Sequence, residues 1–105
     1  MPPPSTGPST GPATETVKIC NKRGLHARAS AKFVAMAESF EADILVSSIE
    51  EGPGGDKVCG TSIMGLMMLA AAIGHSIRIE ATGEQAGEAV TALSALVNRR
   101  FEEES

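Results

Sequence analysis

At 105 residues the chain has room for one domain around one core. A formal net charge of -4 excludes the basic stripe of a nucleic-acid binder. Hydrophobic residues make up 42%, but Trp and Tyr are absent and Phe numbers three, so the core must rest on Ile, Leu, Val, Met and Ala.

The elements can be taken in chain order. Residues 1–14 are a different material from the rest. Five of the six prolines lie in Met1–Pro12, and Pro4-Ser5-Thr6-Gly7 recurs as Pro8-Ser9-Thr10-Gly11. With no large apolar side chain after Met1, nothing there offsets the entropy of ordering, and a disordered tail is expected. The folded domain is expected over residues 15–105.

Thr16 to Cys20 alternates, with Val17 and Ile19 on one face, as a half-buried strand does. Asn21-Lys22-Arg23-Gly24 is a turn. A helix follows from Ala27 to about Phe40, where Ala29, Phe33, Met36 and Phe40 stack on one side. Ala42 to Ser48 reads as a second strand through Ile44 and Val46. Glu50 to Gly55, with three glycines and a proline, is a loop, and Asp56 to Cys59 closes a hairpin. A second helix is expected from Ile63 to Ile73, stopped by Gly74. Ser76 to Ala81 alternates again. The last helix spans about Glu84 to Phe101, with Ala86, Val90, Leu93, Val97 and Phe101 as its buried stripe.

The order β-α-β-β-α-β-α predicts an α+β open-faced two-layer sandwich, with three helices on one face of a four-stranded antiparallel sheet. Cys20 and Cys59 form no CxxC pair and, with His26 and His75, make no zinc-ligand cluster. No metal or organic cofactor is implied, and a reducing cytoplasm is the expected setting. No apolar leader precedes the domain, and Ile63–Ile73 is too short to cross a bilayer, so no membrane contact is expected.

The chemistry concentrates in Gly24-Leu25-His26-Ala27-Arg28. His26 stands just ahead of a helix, where the backbone N–H groups of Ala27, Arg28 and Ala29 lack intrahelical partners and favour an anion. A neutral imidazole there can attack phosphorus, which leaves the dianionic phosphoryl group over those donors. Arg28 can add a charge-assisted hydrogen bond. Imidazole with an ordinary pKa of about 6.5 is already mostly neutral at pH 7. A helix end worth about 0.3–1 kcal/mol per charge therefore adds little nucleophile and acts more on the phosphorylated state. An ordinary capping histidine is the competing reading of the same position.

The flanking residues separate the two. Asn21-Lys22-Arg23-Gly24-Leu25-His26-Ala27-Arg28, followed by Phe33-Val34, resembles the active-site segment of HPr, the histidine phosphocarrier of the bacterial phosphotransferase system. Gly60-Thr61-Ser62-Ile63-Met64-Gly65-Leu66-Met67 is similar to that family's serine segment. The likeness runs from Thr16 to about Phe101.

The resemblance implies that His26 carries the phosphoryl group on its δ1 nitrogen with Arg28 beside it, and that Ser62 matches a serine phosphorylated by a dedicated kinase in some bacteria. It implies enzyme I as donor, enzyme IIA-type proteins as acceptors, and a carrier rather than an independent catalyst. Ile63, Met64 and Met67, with Ala27 and Ala31, are expected to form a transient docking face, because exposed methionines suit surfaces that fit several partners. A stable oligomer is not required. Ser62 reads equally as an ordinary N-cap, and His75 as a residue of an exposed turn with no assigned role.

Three features depart from the family pattern. Ala29 stands where proline is usual and supplies an N–H that proline lacks. Glu51 to Gly55 lengthens the hairpin loop. Ala35, Glu38 and Gly65 replace lysines of several enteric relatives, which points toward the regulatory, nitrogen-related branch. The alternative function is a regulatory binding protein that acts through Ser62 and the Ile63/Met64/Met67 face.

Overall fold

In the computed structural model the described residues are 12–49, 57–69 and 71–102. The expected tail as far as residue 11 and the loop insertion Glu51–Gly55 lie outside them. The elements follow in the expected order: β1 (Ala13–Lys18), α1 (Ala27–Ala37), β2 (Asp43–Ser48), β3 (Lys57–Cys59), α2 (Ile63–Met68), β4 (Ser76–Thr82) and α3 (Ala86–Asn98). The strands form one sheet in the order β1-β4-β2-β3, antiparallel at every pairing.

Alternation decides which face of the sheet is covered. Val17, Ile44, Val46, Ile77, Ile79 and Ala81 point inward and are buried against Phe33, Leu66, Leu93 and Val97 from the three helices. The other face carries mainly polar side chains, with Leu45 exposed among them. There Lys57 Nζ lies 3.3 Å and 3.1 Å from the two carboxylate oxygens of Glu80. The fold is thus the predicted α+β sandwich with one open sheet face.

Several boundaries differ from the sequence reading. β1 begins at Ala13, not Thr16, so Ala13 and Thr14, assigned above to the tail, pair with Ala81 and Glu80. α1 stops at Ala37, and Phe40 reaches the core from the turn that follows. α2 ends at Met68 rather than Ile73. Gly74 is therefore no helix terminator; its φ of +89° serves the turn into β4. α3 ends at Asn98, and Phe101 sits in a 3-10 turn, Arg100–Glu102, whose residues all have positive φ. Phe101 is nonetheless completely buried, and its carbonyl accepts from Lys32 Nζ at 2.7 Å.

Candidate functional site

The turn that presents His26 is built from backbone constraints. Asn21 is fully buried, and its Nδ2 donates to Gly24 O at 2.9 Å while Gly24 N–H donates to Asn21 O at 3.2 Å. Gly24 has φ +64°, and a Cβ there would stand 2.2 Å from Ala71 O. Only glycine fits both conditions. Leu25, buried, donates its N–H to Ala71 O at 3.0 Å, and its own carbonyl accepts from Ser30 Oγ at 3.3 Å. His26 is thus held between two buried anchors, Leu25 and Ala29, while its own side chain is half-buried.

His26 is itself the N-cap of α1. Its backbone is extended (φ -78°, ψ -178°), and its carbonyl accepts the first helical bond, from Ser30 N–H at 2.9 Å. Its Nδ1 accepts from Arg28 N–H at 3.2 Å. An accepting nitrogen carries a lone pair, so in the neutral ring the proton belongs on Nε2. The capping and chemical readings of His26 are therefore compatible: the cap bond aims the Nδ1 lone pair at the helix end. The amides of Ala27, Arg28 and Ala29 form the first turn, where helix geometry supplies no intrahelical acceptor. Arg28 and Ala27 are exposed, and Ala31 is exposed one turn further along α1. Ala29 is completely buried, so its methyl group packs in the core beneath the helix start.

Ser62 caps a separate helix. Its Oγ accepts from Gly65 N–H at 3.0 Å with the backbone extended (φ -115°, ψ 110°). A Cβ at Gly65 would lie 3.2 Å from Ser62 Oγ and 3.1 Å from Val58 Cβ, so these neighbours would have to shift slightly to admit it. α2 packs against α1, buries Leu66 completely, and exposes Ile63, Met64 and Met67. Met68, 78% exposed on the same helix, extends this apolar surface, and Ile73 beyond the helix is 55% exposed. The docking face expected from the sequence named neither. The signal was available for Met68, which lies one turn beyond Met64.

Cys59 ends β3 with its thiol on the surface, and Sγ lies 3.0 Å from Thr61 Oγ1. Hydrogen bonds from the Thr61 hydroxyl and backbone hold its pKa below the ordinary thiol value. Among the described residues no group of three or more His, Cys, Asp and Glu is placed to hold a metal, and no helix is long and apolar enough to cross a membrane.

The site thus combines a histidine that caps a helix and accepts a first-turn N–H on its δ nitrogen with a small open-faced α+β sandwich. The family described as "PTS HPr component phosphorylation site" matches residues 13–99. The phosphocarrier protein HPr of Pseudomonas aeruginosa is 46% identical over 92 residues, covering 88% of this chain and 97% of that protein. The phosphocarrier protein NPr of Escherichia coli K12 is 39% identical over 90 residues, covering 86% and 96%. Among solved structures, HPr from Thermoanaerobacter tengcongensis superimposes with a TM-score of 0.78 at 38% identity, over 89% of this chain and 99% of that one. The chain belongs to the HPr family of phosphotransferase-system phosphocarriers.

Proposed function

We propose that the phosphoryl group is carried on Nδ1 of His26, received from phosphorylated enzyme I and passed to enzyme IIA-type proteins in the cytoplasm. The observation that carries this reading is the 3.2 Å bond from Arg28 N–H to Nδ1, which points the nucleophilic lone pair at the donors that would receive the product oxygens. In the transfer, the Nδ1 lone pair forms an N–P bond as the bond from phosphorus to the donor's leaving atom breaks. No organic cofactor or metal takes part. The amides of Ala27, Arg28 and Ala29 then hold the phosphoryl oxygens, and the Arg28 guanidinium adds charge from the surface. The protein acts as a monomeric intermediate and not as an independent catalyst. Two free thiols, Cys20 and Cys59, suit a reducing compartment.

The docking face for both partners comprises Ala27, Ala31, Ile63, Met64 and Met67, supported by the exposure of these residues on adjoining helices. A phosphate on Ser62, supplied by an HPr-type serine kinase/phosphorylase, would suit the start of α2 while setting negative charge beside that apolar face. It would weaken docking without unfolding the domain. The exposed methionines also favour a second reading, a regulatory binder working through Ser62 and the Ile63/Met64/Met67 face.

Incubation with phosphoenolpyruvate and enzyme I tests the carrier role. Acid-labile phosphate should appear on the wild type and vanish in His26→Ala. Label that survives the substitution overturns the assignment. Transfer to Ser62→Asp at the wild-type rate would remove the regulatory role of that serine.

A further inference from the structure

The segment between α2 and β4 is tied into the base of the His26 turn. Gly74 N–H donates to Ile19 O and Ile19 N–H donates to His75 O, both at 2.8 Å, while Leu25 N–H donates to Ala71 O at 3.0 Å. Inside the segment two further bonds close a small ring. His75 N–H donates to Ala72 O at 2.9 Å, and Ala72 N–H donates back to the imidazole Nδ1 of His75 at 3.2 Å.

One peptide unit links these two sets of contacts. The carbonyl of Ala71 and the N–H of Ala72 belong to the same rigid plane. On one side the plane is held by the His75 ring through the Ala72 N–H. On the other its oxygen receives the N–H of Leu25, the residue that directly precedes His26. Rotating this plane to free the Ala72 N–H would swing the Ala71 oxygen away from Leu25. Gly24 packs directly over the same oxygen, so a tilted plane would also press on the turn.

We infer that His75 is a positioning residue for His26: its imidazole sets the 71–72 peptide plane, and that plane fixes Leu25 and the helix start where the phosphoryl group is held. The role rests on the carrier reading given above. His75 touches no reacting atom, and its effect passes through one backbone plane.

Two substitutions test it. His75→Ala removes the acceptor. His75→Asn restores one, because a short amide side chain can accept from a nearby backbone N–H as in an Asx turn. Amide hydrogen exchange at Ala72 and Leu25 should quicken about tenfold in His75→Ala, the effect of one lost hydrogen bond, and return toward wild type in His75→Asn. Phosphorylation of His26 from phosphoenolpyruvate and enzyme I should slow several-fold in His75→Ala at saturating enzyme I. The KM for enzyme I should stay unchanged, since Ile63, Met64 and Met67 are untouched, and His75→Asn should recover the rate. A labelled wild type with an unaltered rate in His75→Ala overturns the positioning role alone. So does a slowed rate that His75→Asn fails to recover. A wild type that takes no label overturns the carrier reading and this role with it, whereas the exchange rates would still report the backbone coupling.

Discussion

Replacing Gly24 with alanine places a methyl group where the structure has a carbonyl oxygen. Two costs add. A φ of +64° is left-handed, which costs an L-residue about 1–2 kcal/mol. The new Cβ would also stand 2.2 Å from Ala71 O and 2.9 Å from Ala72 Cα, both backbone atoms that no side-chain rotation can move aside. Relief requires the 71–72 backbone to retreat, which breaks the bond from Leu25 N–H and leaves a buried donor unpaired at about 1–3 kcal/mol. The expected loss is thus about 2–5 kcal/mol, a large part of the stability of a small domain. Gly74→Ala supplies the reference, because Gly74 also has positive φ, +89°, but nothing lies within 4 Å of its would-be Cβ. That variant should lose only the conformational part, about 1–2 kcal/mol. With no Trp or Tyr in the chain, urea unfolding followed by far-ultraviolet circular dichroism is the suitable measurement. Equal losses for the two variants, within about 0.5 kcal/mol, would refute the claim that close approach to Ala71 fixes the turn.

Three other substitutions probe separate features. Ser62→Ala removes the acceptor for Gly65 N–H and should cost about 1 kcal/mol in urea unfolding, while Ser62→Asp keeps a capping oxygen and should cost less. Thr61→Val removes the hydroxyl that stabilises the Cys59 thiolate; the pKa should rise, so alkylation of Cys59 by iodoacetamide should slow at neutral pH and its pH–rate midpoint move upward. An unmoved midpoint would show that Thr61 does not set the thiol's acidity. Phe101→Ala should destabilise by about 3–5 kcal/mol despite lying beyond the last helix, because its ring is wholly buried; a loss under about 1 kcal/mol would mean that the terminal turn is not part of the core.

The element order was readable because each element answers to a local period. Val17 and Ile19, Ile44 and Val46, and Ile77 and Ile79 alternate as strand residues must, and all are buried as expected. The ends of the helices were not readable, because contacts distant in sequence set them. Apolar residues continue past Met68 to Ile73, so a helical pattern runs on; yet Ala71 must offer its carbonyl to Leu25, which no local pattern records. Phe101 follows Val97 at helical spacing and is buried as expected, but it enters the core from left-handed backbone, with its carbonyl held by Lys32 from α1. At the candidate site the residue types and the helix start were legible. That His26 could cap the helix was legible as well, but that its Nδ1 would accept from Arg28 N–H, and that His75 would face the amide of Ala72, depended on three-dimensional closure of the turn.

The capping role of His26 and its proposed carrier role can be pulled apart experimentally, although one atom would serve both. As a cap, Nδ1 accepts from Arg28 N–H. On the carrier reading the same lone pair becomes the N–P bond, and the Arg28 N–H loses that acceptor as a phosphoryl oxygen arrives beside it. The helix end then exchanges one acceptor for another without rearranging its backbone, which favours rapid transfer in both directions. Asn is among the best N-caps, and its Oδ1 can accept from the first-turn amides, but its amide is no nucleophile toward phosphorus. His26→Asn should therefore unfold within about 0.5 kcal/mol of wild type while taking no acid-labile phosphate, whereas His26→Ala should lose the phosphate and about 1 kcal/mol of stability as well. Equal stability of the two variants would mean that the Nδ1 bond contributes nothing as a cap. The orientation of the lone pair would then need another cause, because the cap bond is the contact that aims it at the helix start.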